Sequence, residues 1–322
     1  MKAQTRNAGA AAVVLLALCA VPFLSGKFAI YLMMRIMLLG IFAVGYNLLL
    51  GQTGLLSFGH GAFYAAGAYG LGLFGVHVST HPLLGVAAGV AAAVLLALLV
   101  GTLCVRHTEI YFAMLTLACG MMAFSFFWNA REITGGDDGL IGIVRAPVSL
   151  FGGIRMPIGK DEQFYFFVLF FFALSVWAAH RIRHSPFGLA LAGIRENARR
   201  SEFAGVPVRR YRLAVFVLSG AFAGLAGSLE ALLESNARPF MAHWTHSAEP
   251  ILVSLLGGLS SLAGPLVGSA IFVAMREIIQ RFTENWMLGF GVVLLVIIMG
   301  FRGGVVGTLS ALFRKAAAPG EG

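Results

Sequence analysis

Residues able to perform acid–base, nucleophilic or metal chemistry are sparse in this chain. Its eight histidines show no HExxH or other metal-ligand spacing, and no nucleophile stands beside a base. The string IRMPIGKD, at 154–161, comes nearest to a phosphate-binding loop, but it lacks the first glycine and the hydroxyl residue after lysine. The sequence therefore predicts no catalytic residue, no metal site and no nucleotide bound by this chain itself.

A few polar residues lie in or beside apolar or glycine-rich stretches. Ser57 and His60 could line a polar path, although for His60 a helix-end hydrogen bond is favoured over a proton relay. Asp137 and Asp138, next to glycines, could hold a cation because carboxylates suit hard ions, but an exposed turn is the favoured interpretation. Ionisable groups in or near apolar runs must pair or face water. The sequence leaves open how the following groups pair: Arg35, Glu230, Glu234, Arg276 and Glu277.

One segment, 181–212, is strongly basic, with eight arginines and two glutamates. Ser185 can cap a helix, Pro186 suits its first position, and Gly205 before Pro207 is a stop signal. One face is apolar, formed by Phe187, Leu191, Ile194 and Ala198. The pattern predicts a single helix of roughly 18–20 residues, about 30 Å long, lying outside the bilayer and docking onto another protein. The alternative is a basic loop that only sets topology or touches anionic lipid.

The composition indicates a membrane protein. Of the 322 residues, 59% are hydrophobic and 11% are charged, whereas a soluble domain carries about 25% charged residues. The apolar runs are too long for the strands of a barrel, so the spanning segments are predicted to be helices. The net charge of +9 lies in the loops between these runs, which is typical of cytoplasmic loops and does not indicate nucleic-acid binding.

The predicted fold class is all-α, a polytopic membrane protein with about ten transmembrane helices, some of them broken or re-entrant. The predicted spans are 10–24, 28–50, 60–77, 82–104, 110–128, 164–179, 213–233, 249–258, 266–279 and 286–299. The first could alternatively be a signal peptide. The loop 129–163 carries four basic and five acidic residues, so the positive-inside bias places it outside the cell and places 183–212, with both termini, in the cytoplasm. The whole chain, 1–322, is predicted to form one transmembrane domain.

Two glycine-broken segments recur in corresponding places, GQTGLLSFGHG at 51–61 and GGLSSLAGPLVG at 257–268. Such pairs indicate internal pseudo-symmetry and a translocation path, while close packing of small residues is the alternative. The predicted path or hinge residues are Gly51, Gly54, Ser57, Gly59, His60, Gly257, Gly258, Ser260, Gly264 and Pro265.

Five ordered segments resemble the LivM-type permeases of bacterial ABC importers for branched-chain amino acids. They are GYNLLLGQTGLLSFGHGAFYAAGAY (45–69), TGGDDGLIGI (134–143), SPFGLALAGIRENARRSEFAGVPVRRYRL (185–213), LSGAFAGLAGSL (218–229) and GGLSSLAGPLVGSA (257–270). In that family the third segment is the coupling helix, which sits in a groove of the cytoplasmic ATPase. The resemblance assigns this role to Ser185, Pro186, Phe187, Gly188, Gly193, Arg195, Glu196, Asn197 and Gly205. Two alanines, Ala190 and Ala192, stand where basic residues are frequent.

The resemblance implies a permease in the bacterial inner membrane with several partners. These are a LivH-like second permease, two ABC ATPase subunits that use Mg-ATP, and a periplasmic substrate-binding protein. Related permeases serve urea, amides or aromatic acids, so these substrates stay open. A channel or secondary transporter is a further alternative, but it would require intramembrane carboxylates along an ion route, and few are seen.

Overall fold

The computed structural model describes residues 16–24, 26–107, 109–149, 155–259, 261–282 and 304–308, with a few single residues and pairs between 288 and 300. Residues 16–24 are helical and belong to the first predicted span. Most of the last predicted span, and the basic tail after it, lie outside the described residues.

The described part of the chain is all-α apart from four two-residue strands. Between residues 27 and 282 its α-helices are α1 (Lys27–Thr53), α2 (His60–His77), α3 (Pro82–Cys104), α4 (Glu109–Asn129), α5 (Arg131–Thr134), α6 (Asp161–Arg183), α7 (Pro186–Glu196), α8 (Ala198–Phe203), α9 (Val208–Glu234), α10 (Trp244–Gly257) and α11 (Ala263–Phe282). The strands are β1 (Leu140–Ile141), β2 (Val148–Ser149), β3 (Arg155–Met156) and β4 (Asn236–Ala237).

Five of these helices, α1, α3, α4, α6 and α9, are long and apolar enough to cross a bilayer. At ~1.5 Å per residue they span roughly 30–40 Å, which matches a hydrocarbon core of about 30 Å. The most apolar part of α1 and of α9 is 61% buried, against 22–33% for α3, α4 and α6. The chain therefore has α1 and α9 at its centre, with three helices presenting apolar side chains outward.

The centre of the bundle is held by backbone contact between glycines. A side chain at Gly67 on α2 would overlap the carbonyl of Gly224 on α9. Ser228 donates a hydrogen bond to the Gly67 carbonyl at 3.0 Å, and Gly89 on α3 approaches the same carbonyl. Because lipid tails are as apolar as the helix surfaces, the hydrophobic effect does not drive the helices together. Close approach of the backbones supplies van der Waals packing energy instead.

The two ends of the bundle differ. At one end, which we call the loop end, α7 and α8 join α6 to α9. At the other end, which we call the strand end, α6 and α9 lie beside the short strands. There β1 pairs antiparallel with β4, with Leu140 opposite Ala237. Arg145 donates to the carbonyls of Leu232 and Leu233 at 2.7 and 2.6 Å and pairs with Asp161 at 2.8 Å, so it satisfies carbonyls that the end of α9 leaves free.

The prediction of one helix of 18–20 residues from Ser185 to Gly205 is wrong. The segment forms α7 and α8, separated at Asn197, whose backbone is extended (φ −158°, ψ 102°). The Asn197 side chain accepts the N–H of Arg200 at 2.9 Å and thereby caps α8. Asparagine competes for backbone groups in this way, so it favours caps over helix interiors.

Candidate functional site

The paired helices α7 and α8 are fixed to the loop end by local signals and by an apolar inner face. The Ser185 hydroxyl accepts the N–H of Gly188 at 3.3 Å, with Pro186 at the first helical position. Leu191 and Ile194 are fully buried, each contributing roughly 1.5–3 kcal/mol. Phe187 stacks on Tyr211 of α9 at 5.3 Å between ring centroids.

Two glycines of this segment serve its backbone. A side chain at Gly188 would overlap the carbonyl of Arg183, so the turn from α6 into α7 requires glycine. Gly205 ends the segment with φ +84°, a left-handed conformation that glycine adopts without strain. The predicted cap, first position and stop are thus all confirmed in the structure.

The opposite face of α7 and α8 is exposed and partly apolar. We define the outward face as Leu189, Gly193, Glu196 and Phe203. Leu189 is 71% exposed and Phe203 is 92% exposed. A Cβ added at Gly193 would meet only the Ser201 hydroxyl, at 3.5 Å. Large apolar side chains left in the open beside an empty glycine position are typical of a surface that another protein covers.

Arg195 connects this segment to the core of the bundle. Its guanidinium donates a hydrogen bond to the carbonyl of Gly51 at the end of α1. A Cβ at Gly54, where α1 ends with φ +74°, would lie 3.8 Å from the same side chain. Arg195 therefore links α7 directly to the end of α1.

The two glycine-broken segments meet around residues 46–51 of α1. Tyr46 donates to the Ser57 carbonyl and accepts the Ser57 N–H, both at 2.9 Å. From the second segment, the Leu259 carbonyl lies 3.1 Å from where a Cβ of Gly51 would be, and Asn47 donates to the Ser261 carbonyl at 3.5 Å. The structure thus brings the two predicted segments to one stretch of one helix.

Within these segments the glycines allow close packing. Gly59 lies against α4, where an added Cβ would be 2.5 Å from the carbonyl oxygen of Thr116. Gly257 and Gly264 contact each other's backbone, and Gly258 has φ +108°. Pro265 is buried in the first turn of α11, where its missing N–H costs nothing. Ser260, also predicted here, lies outside the described residues.

His60 is fully buried and both of its ring nitrogens are occupied. Nδ1 lies 2.9 Å from the Ser57 hydroxyl and Nε2 lies 2.8 Å from the Ser219 hydroxyl of α9. This arrangement supports the interpretation of His60 as a hydrogen bonder at the start of α2, since neither nitrogen is left for a passing ligand.

A cavity of about 230 Å³ opens near the strand end, and four of the five ionisable residues whose pairing the sequence left open line it: Arg35, Glu230, Arg276 and Glu277. It is bordered by α1, α2, α9, α10 and α11. Its polar lining consists of Tyr31, Arg35, Tyr64, Glu230, His246, Glu249, Arg276, Glu277 and Gln280. None of the predicted path residues that the structure describes lines it.

The ion pairs that the sequence left open are resolved around this cavity. Arg35 pairs with Glu234 at 3.3 Å and with Glu230 at 4.0 Å. Arg276 pairs with Glu249 at 3.7 Å. Glu277 pairs with Arg281 one turn further along α11, at 3.6 Å.

Three further polar residues join the network. Glu249 also contacts His246 Nδ1 at 3.3 Å, Tyr31 donates to Glu234 at 2.6 Å, and Tyr64 donates to Glu230. Tyr31, Tyr64, His246 and Glu249 were missed as site residues from the sequence. The sequence signal that was available is a charged residue within an apolar run, where charge is costly. The same signal identified Arg35, Glu230 and Arg276.

The described residues contain no group of three or more histidine, cysteine or acidic side chains placed to hold a metal ion. Asp137 and Asp138 are both exposed in a short 3₁₀ turn.

Comparison with known proteins identifies the chain's family. A family model described as branched-chain amino acid transport system / permease component matches residues 28–300. No solved structure gives a significant match.

Individual relatives agree with this match. The LivM high-affinity branched-chain amino acid transport system permease of Escherichia coli (strain K12) is 29% identical over 87% of this chain and 70% of its own length. The LivH permease of Salmonella typhimurium is 24% identical over 80% of this chain and 87% of its own. The structure agrees, with a folded segment outside the bundle and two glycine-broken segments that meet on one helix. Because the family model matches most of its length, the chain belongs to the family of permease components of branched-chain amino acid transport systems.

Proposed function

We propose that this chain is the LivM-like permease of an ABC importer that moves branched-chain amino acids across the bacterial inner membrane. It pairs with a LivH-like permease, and two cytoplasmic ATPases use Mg-ATP on its behalf, while a periplasmic protein delivers the substrate. The chain crosses the membrane about ten times, with both termini in the cytoplasm, as a single permease domain. Residues 183–212 form the cytoplasmic coupling loop, and 129–163 form the extracytoplasmic loop.

The observation that carries this proposal is the outward face of α7 and α8. A segment that only set topology would need positive charge and no folded shape. This segment has a capped start, a buried inner face, exposed Leu189 and Phe203, and space at Gly193. These features support a knob that fits into a groove of the ATPase.

The proposed mechanism follows from how the segment is attached. ATP-driven closure of the ATPases displaces α7 and α8. Arg195 passes the displacement to Gly51 at the end of α1, around which both glycine-broken segments pack. Those segments act as hinges, so the helices tilt and the path opens alternately to each side.

Reconstituted transport tests the function. Proteoliposomes containing this chain, its second permease and the ATPases should take up leucine only with the binding protein outside and Mg-ATP inside. Omitting this chain should abolish uptake. Uptake by this chain alone, driven by an ion gradient, would reject the proposal in favour of a secondary transporter.

A further inference from the structure

We propose that the cavity at the strand end is a binding site for a small zwitterion with an apolar side chain, a waypoint for the transported amino acid inside the permease. The inference rests on the proposed function, because it places that importer's cargo in the cavity. It goes further in assigning binding to this chain and not only to the periplasmic protein.

The charged lining is expensive to maintain for structure alone. Arg35, Glu230, Glu249 and Arg276 come from four different helices and retain only 16–34% of their side-chain exposure. Replacing a buried ion-pair network with apolar side chains of similar size is often neutral or stabilising. Charges collected around an open volume inside a membrane domain indicate a ligand of matching charge.

The lining carries groups of both signs, which favours a zwitterion over a simple anion. Three carboxyl groups, from Glu230, Glu249 and Glu277, line the cavity together with the guanidinium groups of Arg35 and Arg276 and the ring of His246, which pairs with Glu249. A ligand carboxylate can be bound by the guanidinium groups, but without an ammonium group the ligand would leave the three carboxylates of the lining unmatched. A ligand ammonium finds Glu230 and Glu249 on the same wall.

His246 provides one polar atom that the protein itself does not satisfy. Its Nδ1 contacts Glu249, whereas its Nε2 is buried and has no hydrogen-bond partner among the described residues. Buried nitrogens are nearly always paired. The His246 side chain lines the cavity, but Nε2 itself has almost no accessible surface, so the ring must turn before a ligand group can supply the missing bond.

The remainder of the wall suits an aliphatic side chain. Leu38, Leu39, Phe42, Phe272 and Val273 border the same volume. At about 230 Å³, the cavity is below the ~300–1,000 Å³ of sites for drug-sized ligands. This volume suits a single small metabolite, and the lining suits one that has an apolar end and a charged end.

The test is direct binding to the purified full-length chain in lipid nanodiscs, measured by saturation-transfer NMR with three probes. L-leucine carries both charges, isocaproate lacks the ammonium, and isoamylamine lacks the carboxylate. We expect leucine to bind at least about tenfold more tightly than either analogue, because each analogue leaves one set of charged groups unmatched.

Two variants locate the site. Glu230→Gln and Arg276→Gln should each weaken leucine binding by about tenfold or more. The same acid-to-amide change at exposed Glu132, Glu132→Gln, should leave binding unchanged. If the two cavity variants do not fold, the dissociation constants of leucine and its two analogues for the unaltered chain are compared, and their ratio alone tests the inference.

Three outcomes would overturn the inference: no binding of leucine to the unaltered chain, equal binding of all three probes, or unchanged leucine binding by folded Glu230→Gln and Arg276→Gln variants. None of these results touches ATP-dependent uptake, so the importer proposal can stand when this inference fails. Conversely, selective leucine binding without ATP-coupled uptake would remove the importer proposal and leave the site.

Discussion

At the scale of single residues, position decides whether a glycine is replaceable. Gly67 and Gly75 lie on the same helix, α2. Gly67 contacts the backbone of Gly224, whereas a side chain at Gly75 meets nothing within 4 Å. The sequence does not distinguish these two glycines, because the rotation of the packed helix decides which of them faces a neighbour.

We therefore predict opposite effects of one substitution. Gly67→Ala should destabilise the chain by roughly 1–3 kcal/mol, because α2 and α9 must move apart. Gly75→Ala should leave stability unchanged or raise it by up to about 1 kcal/mol through helix propensity. Thermal unfolding of the two variants in the same detergent measures the difference, and equal melting temperatures would contradict the packing described here.

Gly193 gives a residue-scale test of docking. Because the chain leaves room there, Gly193→Leu should fold and insert normally while weakening association with the ATPase by at least about tenfold through a clash in the partner's groove. Glu196→Lys should weaken association too, by reversing a charge on the outward face.

The matched control is Gly159→Leu, since a Cβ at Gly159 meets nothing within 4 Å and Gly159 lies before α6, at the strand end. Co-purification of the ATPase with each variant gives the answer. Loss of the ATPase from the Gly159 variant as well would point to a general defect instead of a docking face.

At the scale of elements, local signals were readable and long-range ones were not. Ser185, Pro186 and Gly205 predicted the start and stop of the segment because each acts on its own turn. The break at Asn197 was missed because the apolar spacing continues across it to Ala198. The bond from Arg195 to Gly51, 144 positions away in sequence, had no local signal at all.

This bond predicts a variant that separates docking from transport. Arg195→Met keeps the length of the side chain but removes the bond to Gly51, so the ATPase should remain bound while less leucine is moved per ATP hydrolysed. Arg199→Met, a change of the same kind at an exposed position, should transport normally. Paired measurements of uptake and ATP hydrolysis in proteoliposomes test this, and an unchanged ratio in the Arg195 variant would refute the coupling route.

At the scale of the whole molecule, the membrane class and the main spans followed from composition and run length. The cavity did not, because it forms only when α1, α9, α10 and α11 come together, and no periodicity within one helix indicates that. The charged residues were visible as anomalies in apolar runs, yet Arg35 and Glu234 are 199 positions apart. The same separation explains why their pairing could not be assigned from the sequence.

The central claim is that α7 and α8 face the cytoplasm and contact the ATPase. Photo-crosslinking in intact cells tests it most directly, with a photoreactive residue placed at Leu189, at Phe203 or, as a control, at Ile141, which is 69% exposed at the strand end. The account predicts adducts with the ATPase from positions 189 and 203 and none from position 141. Adducts from position 141, with none from positions 189 and 203 in a transporting importer, would contradict it.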